Sequence, residues 1–435
     1  MILRDRRNSG RLDLEAVEMA VRSAMHHAGA ALLSQLLQFP IPAEDQRSVA
    51  CACGQQARYR ELRSKPVLTA LGPAQVKRPY YLCAHCHTGQ FPADAELDIE
   101  HTAFSPGVRR MQAAVGQDAP FDHGRQQLHL LAGLEIATKS VERVAEAIGA
   151  DIARKDQQEI ERAVQLDLPI VIGESIPVLY IQMDGTGVPV VKKETIGRKG
   201  KTPGQPAHTR EVKLGCVFTQ TAQDEEGFAI RDTDSTTYTG AIETAAEFGK
   251  RLYLEAWNRG WSHAQKKVVI GDGAEWIWHL AQQHFPGAIQ IVDLYHARQH
   301  LWDVARLLYP ADAVKQKRWM KTHQKRLLDP GKIEKLVLTL RALASAQPEL
   351  LAEKIRTEAE YFHNNRQRMR YPNFRQQHLF VGSGVIEAGC KTVVGSRLKQ
   401  SGMFWTVSGA NSILALRCSH LNGRFADYWA ERRAA

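Results

Sequence analysis

The chain has 435 residues, 44% hydrophobic and 7% aromatic, which is soluble, globular composition and enough length for two to four domains. No stretch approaches the roughly 18 consecutive apolar residues of a membrane span, and the charged start at Arg4, Asp5, Arg6 and Arg7 lacks the apolar core of a secretory signal, so an intracellular protein is expected. A formal charge of +10 suits a polyanionic partner, and an odd count of seven cysteines, four of them in one short N-terminal span, argues for metal binding in a reducing compartment and against a disulfide framework.

The first element expected is an amphipathic helix over 12–38, in an N-terminal helical arm of 1–45. It reads as a packing helix, with a partner- or DNA-facing arm as its other use. Cys51-Ala52-Cys53-Gly54 follows, then strand-like runs from Tyr59 to Leu71 and Gln75 to Leu82 joined at Gly72-Pro73, then Cys83-Ala84-His85-Cys86. Two cysteine knuckles bracketing a hairpin are the pattern of a zinc ribbon, expected over 46–100. Four thiolates from Cys51, Cys53, Cys83 and Cys86 suit tetrahedral Zn²⁺, which supplies folding energy to a module too small for its own core. The first knuckle is CxC, not the commoner CxxC, so His85 or His87 is an alternative ligand.

Residues 101–170 carry a helical pattern. A helix from Phe121 to Leu131, a turn at Ala132-Gly133, and a long helix opening near Thr138 with Lys139 and Arg143 resemble a DNA-binding helix-turn-helix; an ordinary helical hairpin has the same signature. A linker from Asp167 to Ile176 then leads into strands predicted at Val178–Asp184, Gly187–Lys192 and Val212–Thr219, an antiparallel meander. Between the last two, Lys192, Lys193, Arg198, Lys199, Lys201, Arg210 and Lys213 fall in a Gly-, Pro- and Thr-rich stretch, which reads as a mobile basic loop. Helix Gly240–Trp257, strand Lys267–Gly271, helix Ala274–His284, strand Ala288–Val292 and helix Tyr295–Leu308 come next. Three strands followed by helix, strand, helix, strand, helix is the order of a ribonuclease-H-like mixed sheet, expected over 171–309 and 371–435. The strongly charged 310–370 carries no strand signal and reads as an α-helical insertion, after which Gly382-Ser383-Gly384 opens a last helix bearing Glu387.

Asp184 closes the apolar run from Leu179 and is followed by Gly185; Asp272 closes the run from Val268 and is followed by Gly273. A carboxylate at a strand's C-terminal tip beside a glycine faces a crevice that a phosphate can enter. In the ribonuclease-H order the first and fourth strands are neighbours, so the two aspartates stand side by side. Paired carboxylates repel unless a proton or cation intervenes, and Mg²⁺ is the hard cation such oxygens suit.

The segments Met183-Asp184-Gly185-Thr186-Gly187-Val188-Pro189, Gly271-Asp272-Gly273-Ala274-Glu275-Trp276-Ile277, Asp293-Leu294-Tyr295-His296 and Gly382-Ser383-Gly384-Val385-Ile386-Glu387 resemble those of bacterial insertion-sequence transposases of the broad Mutator-like group, over roughly 45–430. The resemblance implies a DDE enzyme in which Asp184, Asp272 and Glu387 hold two Mg²⁺ (or Mn²⁺) ions. It implies that Asp293 and His296 form the group's C/D-x-x-H element; a helix-capping Asp with a packing His is the plainer reading of that pair. Glu275 and His279 read as a solvated helical pair outside the site. Lys391, Arg397 and Lys399 join Lys139, Arg143 and the basic loop as candidate DNA contacts, while Phe404 and Trp405 either stack on a base or pack the domain edge.

The activity implied is cleavage at the inverted-repeat ends of a mobile element and transfer to target DNA, by a homodimer or larger assembly in the bacterial cytoplasm, at the nucleoid. A DNA-binding regulator, or a ribonuclease-H-like nuclease that cuts without joining, are the rival readings.

Overall fold

The computed structural model describes residues 13–200 and 207–434, and the chain forms two compact units, Met1–Ile148 and Gly149–Ala435. In the first, Asp13 caps helix α1 (Leu14–Leu36) by accepting the Ala16 N–H at 3.2 Å. A four-stranded antiparallel sheet follows: β1 (Ser48–Ala50), β2 (Gln56–Thr69), β3 (Gly72–Cys83) and β4 (Gly89–Gln90), in that order. The long β2–β3 hairpin turns at Ala70 and Leu71, a step earlier than the sequence suggests, because Gly72 adopts φ +104° and pairs with Thr69 as the first residue of β3. Helix α2 (Pro92–Glu96) brings Asp94 to the hairpin, where it accepts from Arg78 Nε at 2.8 Å and Lys65 Nζ at 3.1 Å.

Helices α3 (Pro106–Asp118) and α4 (Phe121–Ala132) and the start of α5 (Thr138–Val164) share a core of Val108, Leu128, Leu134, Ile136 and Val141. Helix α4 ends where Gly133 takes φ +66°, the left-handed conformation usual after a helix.

The second unit is built on a five-stranded mixed sheet. Its strands are β5 (Ile176–Pro189), β6 (Thr209–Gln220), β9 (Thr237–Ala241), β10 (Ala264–Gly271) and β11 (Ile289–Val292), with a small β7–β8 hairpin (Ala222–Gln223, Ala229–Ile230) outside it. The spatial order is β11-β10-β5-β6-β9. β5, β6 and β9 pair antiparallel, whereas β10 runs parallel to both β5 and β11. Leu179, Tyr180, Ile181, Val268, Val269 and Ile270 are fully buried, as strands covered on both faces require.

The two covering layers can be read from successive residues of β6. A Cβ on Gly215 would meet Leu252 at 2.6 Å, so helix α6 (Ala245–Asn258) lies against that face. Leu214, pointing the other way, packs near Gly389 at the end of a helix described below. After α6 come α7 (Glu275–His284) and α8 (Leu294–Leu308). Residues 310–370 are helical among the described residues: α9 (Ala313–His323), α10 (Ile333–Ser345) and α11 (Glu349–Asn365). A short α12 (Tyr371–Gln376) precedes α13 (Gly384–Gly389), which runs into a π-helical stretch, Cys390–Gly395. A one-turn helix, Ser396–Leu398, then α14 (Val407–Leu421) and α15 (Phe425–Ala434) follow, so the Glu387 helix is not the last.

Three readings of the sequence need correction here. Val178–Asp184 and Gly187–Lys192 are one continuous strand, because Gly185 and Gly187 stay in the ladder opposite Lys213 and Glu211. The missing third antiparallel strand is Thr237–Ala241, in residues just before and within the start predicted for a helix that begins only at Ala245. Arg210 and Lys213, counted with the basic loop, belong to β6. No helix among the described residues is long and apolar enough to cross a membrane.

Candidate active site

Two groups of potential metal ligands, each with its ligand atoms within 4.8 Å of one another, occur among the described residues. The first is Cys51, Cys53, Cys83 and Cys86. The β1–β2 turn and the end of β3 bring these thiols together, with Cys51–Cys86 and Cys53–Cys83 sulfur separations of 3.5 and 3.6 Å. Four sulfurs at about 2.3 Å around a tetrahedral zinc lie about 3.8 Å apart, so the donor set and spacing fit that ion. The Thr88 hydroxyl and backbone N–H lower the pKa of the Cys86 thiol, whereas burial and the neighbouring thiols raise that of Cys53. Neither His85 nor His87 belongs to the group.

The second group is Asp293, His296 and Glu387, at the end of the five-stranded sheet. Asp184 and Asp272 are not members of this group; their charges act on it through His296. Asp184 sits inside β5, opposite Leu214, on the face shared with Gln182 and Tyr180. Its carboxylate accepts the Gly185 N–H at 2.6 Å and meets the Cys390 thiol at 3.5 Å. Burial, reinforced by the Asp272 charge, pushes its pKa upward. A carboxylate disfavoured as a bare anion beside a second one is the setting that a cation relieves.

Asp272 follows the last residue of β10, on the strand parallel and adjacent to β5. Its side chain accepts the Ala274 N–H at 2.8 Å, and the next residue, Gly273, turns the chain at φ +106°. Asp293 follows β11 and is fully buried. One of its oxygens accepts the His296 N–H at 2.7 Å, capping α8, and the other accepts the Ser383 N–H. Burial alone would raise this carboxyl, but the donors from His296 and Ser383 outweigh it and hold the pKa low. Contact with Asp293 in turn raises His296 above the usual imidazole range, with the charges of Asp272 and Glu387 adding to it. Asp293 is therefore both the cap and an anchor: it ties the segment entering α13 to the end of the sheet.

Glu387 accepts the Ser383 hydroxyl at 2.9 Å. Its helix is fastened to the sheet by a residue that sequence reasoning missed. Gln182, fully buried in β5, donates from Nε2 to Gly382 O at 3.1 Å and accepts the Ile386 N–H on Oε1 at 3.0 Å. The first N–H groups of any helix lack partners within it; Ser383 turns its hydroxyl to Glu387, and a strand residue supplies one cap instead. Tyr180, two residues earlier, accepts the Phe380 N–H at 3.2 Å. A polar side chain inside an apolar strand, in phase with Asp184, was the available signal for Gln182. Tyr361 also escaped notice: it reaches the Asp272 carbonyl from α11, and no spacing links them.

The candidate DNA contacts separate by exposure. Lys192, Lys193, Arg198, Lys199 and Lys391 are exposed, as is Lys399, whose ammonium bonds the Thr186 hydroxyl. Lys139 and Arg143 are exposed on α5, with Lys139 paired to Glu142 at 2.6 Å. Lys201 lies outside the described residues. Arg397 must be withdrawn from the set: it is fully buried, its guanidinium 5.0 Å from the ring of Trp405, where no phosphate reaches it. Trp405 is buried as well and packs the domain edge, whereas Phe404 is exposed. Glu275 and His279 are both exposed.

No family model matches the chain, and no curated protein matches it. Among solved structures, a Drosophila P element transposase strand transfer complex is similar at 10% identity and a TM-score of 0.26, over 78% of this chain and 84% of that one.

Proposed function

We propose that the chain is a DDE-type transposase with a ribonuclease-H-like catalytic core, in which Asp184, Asp272 and Glu387 hold two Mg²⁺ or Mn²⁺ ions. One observation carries the reading: β5 and β10 are parallel neighbours that bring Asp184 and Asp272 to one end of the sheet, and Gln182 clamps the Glu387 helix to the same face. When bound, the two cations supply Lewis-acid stabilisation of the attacking and leaving oxygens of an in-line displacement at phosphorus. Asp184, Asp272 and Glu387 orient that site, and the half-exposed His296, its pKa raised by Asp293, pairs with a DNA phosphate beside it. Hydrolysis that frees a 3′-OH and attack of that hydroxyl on target DNA are both in-line displacements, so the same carboxylates serve both.

The exposed cations of 192–199, with Lys391 and Lys399, bind the DNA backbone near this site. The four-cysteine sheet of the first unit acts as a zinc ribbon over 46–100, and the α4–α5 hairpin, in 101–170, acts as the helix-turn-helix that reads element ends. The helical insertion is 310–370, within a catalytic domain of 171–309 and 371–435. Two ends must be held together, which calls for a dimer or larger assembly.

The test uses the full chain and DNA carrying the sequences that flank its gene. Asp184→Asn, Asp272→Asn and Glu387→Gln should each bind that DNA as the wild type does and lose Mg²⁺-dependent cleavage. A regulator would bind without cleaving in any form, and wild-type cleavage that survives Asp184→Asn would refute the carboxylate assignment.

A further inference from the structure

The helical insertion has no assigned part in the chemistry, yet one of its side chains touches the turn that carries Asp272. Tyr361 on α11 donates its hydroxyl to the Asp272 carbonyl oxygen at 2.8 Å. Its ring fills the space beside Gly273, where a Cβ would come within 2.5 Å of it. Gly273 is at φ +106°, a conformation few side-chain-bearing residues adopt, so the shape of this turn depends on what packs against it.

Tyr361 is itself held on its other side. The His300 ring stacks on it with centroids 3.6 Å apart, and His300 Nδ1 bonds the Glu358 carboxylate at 2.8 Å, one turn before Tyr361 on α11. Phe362 and Ile355, fully buried on the same helix, fix its seat. The insertion is held at two further points, one on α8 and one on the sheet. Arg298 of α8 bonds Asp329 at 2.9 Å, and Arg368, just past α11, bonds Gln290 of β11 at 2.7 Å.

We infer that Tyr361 is a positioning residue of the metal site: through the Asp272 carbonyl and the Gly273 turn, the helical insertion sets the direction in which the Asp272 carboxylate points. The inference rests on Asp272 being a metal ligand, as proposed above. Groups that orient a ligand without touching the ion typically change metal affinity by about 10- to 100-fold when removed. Folding stability alone need not follow, because the ring can remain while the hydroxyl is lost.

Mn²⁺ alone, titrated into the full-length protein and followed by its electron paramagnetic resonance signal, provides the test. Tyr361→Phe keeps the ring and removes the bond, and should weaken Mn²⁺ binding roughly 10-fold while lowering the melting temperature no more than Leu340→Ala does. Leu340→Ala, a fully buried site elsewhere in the insertion, should lower the melting temperature and leave Mn²⁺ affinity as it was. Wild-type affinity in Tyr361→Phe, with Asp184→Asn and Asp272→Asn both defective, would overturn the inference and leave the site assignment standing. Wild-type protein whose Mn²⁺ binding is indifferent to Asp184→Asn and Asp272→Asn would overturn both.

Discussion

Replacing Gln182 with leucine tests how the sheet holds the Glu387 helix. The substitution keeps the side-chain volume but deletes two hydrogen bonds. Ile386 is buried, so its N–H is left without a partner at a cost of about 1–3 kcal/mol. Gly382 is half-exposed, and water can replace part of the bond to its carbonyl, which leaves about 0.5–1 kcal/mol. Leucine avoids the cost of burying an amide, which offsets part of this, so a net loss of about 1–3 kcal/mol is expected. At 1.4 kcal/mol per tenfold, local opening of α13 should rise roughly 5- to 140-fold. Amide hydrogen exchange at Ile386 and Glu387 measures it directly, and metal-dependent cleavage should fall in parallel because Glu387 shares the helix. Unchanged exchange at those two amides would refute the clamp, and loss of protection throughout the second unit would show that Gln182 supports the sheet rather than α13.

Three further outcomes are expected. A strong zinc chelator, or Cys83→Ala, should remove about one zinc per chain by elemental analysis and melt the β1–β2 end of the first sheet, since the metal supplies much of such a module's folding energy. Asp94→Asn should destabilise the first unit by about 3–5 kcal/mol at pH 7 by leaving Arg78 buried without its carboxylate. The Arg78 and Lys65 bonds outweigh burial and depress the Asp94 pKa below 3.8, so its contribution is present above that value and lost as pH falls through the folded pKa; the gap between wild type and variant in urea unfolding should therefore shrink in acid. Lys192→Ala with Lys193→Ala should lower the salt slope of DNA binding by about 2, whereas Arg397→Ala, a buried position, should lower stability and leave the slope alone.

The parts of the fold that were legible in the sequence share a property: their signal is local. Runs such as Val268–Gly271 and the heptad-like face of α8 are buried whole, and composition alone marks them. The cysteine knuckles were legible because turn and ligand coincide. Gly185 and Gly187 misled because glycine ordinarily breaks a strand; here the side chains of Glu211 and Thr209 on β6 occupy the space a Cβ would need, so the ladder continues through them. Thr237–Ala241 was lost because it is short and its glycine and alanine look helical beside Ala245; only pairing with β6 makes it a strand.

In the candidate site, Asp184 and Asp272 could be set side by side from strand order. What could not be read was how the distant carboxylate arrives. Glu387 is fixed by Ser383, four residues before it, and its helix by Gln182 and Asp293, whose bonds reach across 200 and 90 residues of sequence and leave no periodic trace. Arg397 failed for the opposite reason: a basic residue near other basic residues looks solvated until Trp405 folds over it.

The central claim is that one carboxylate centre both cuts and joins DNA. Joining isolates it: pre-cleaved DNA ends bearing free 3′-OH groups, a supercoiled target plasmid, Mg²⁺, and the wild-type or Asp184→Asn protein at matched DNA occupancy. The account predicts joined product with the wild type, none without Mg²⁺, and none with Asp184→Asn. Equal joining by the Asp184→Asn protein, or cleavage by a wild type that never joins a 3′-OH end, would contradict it.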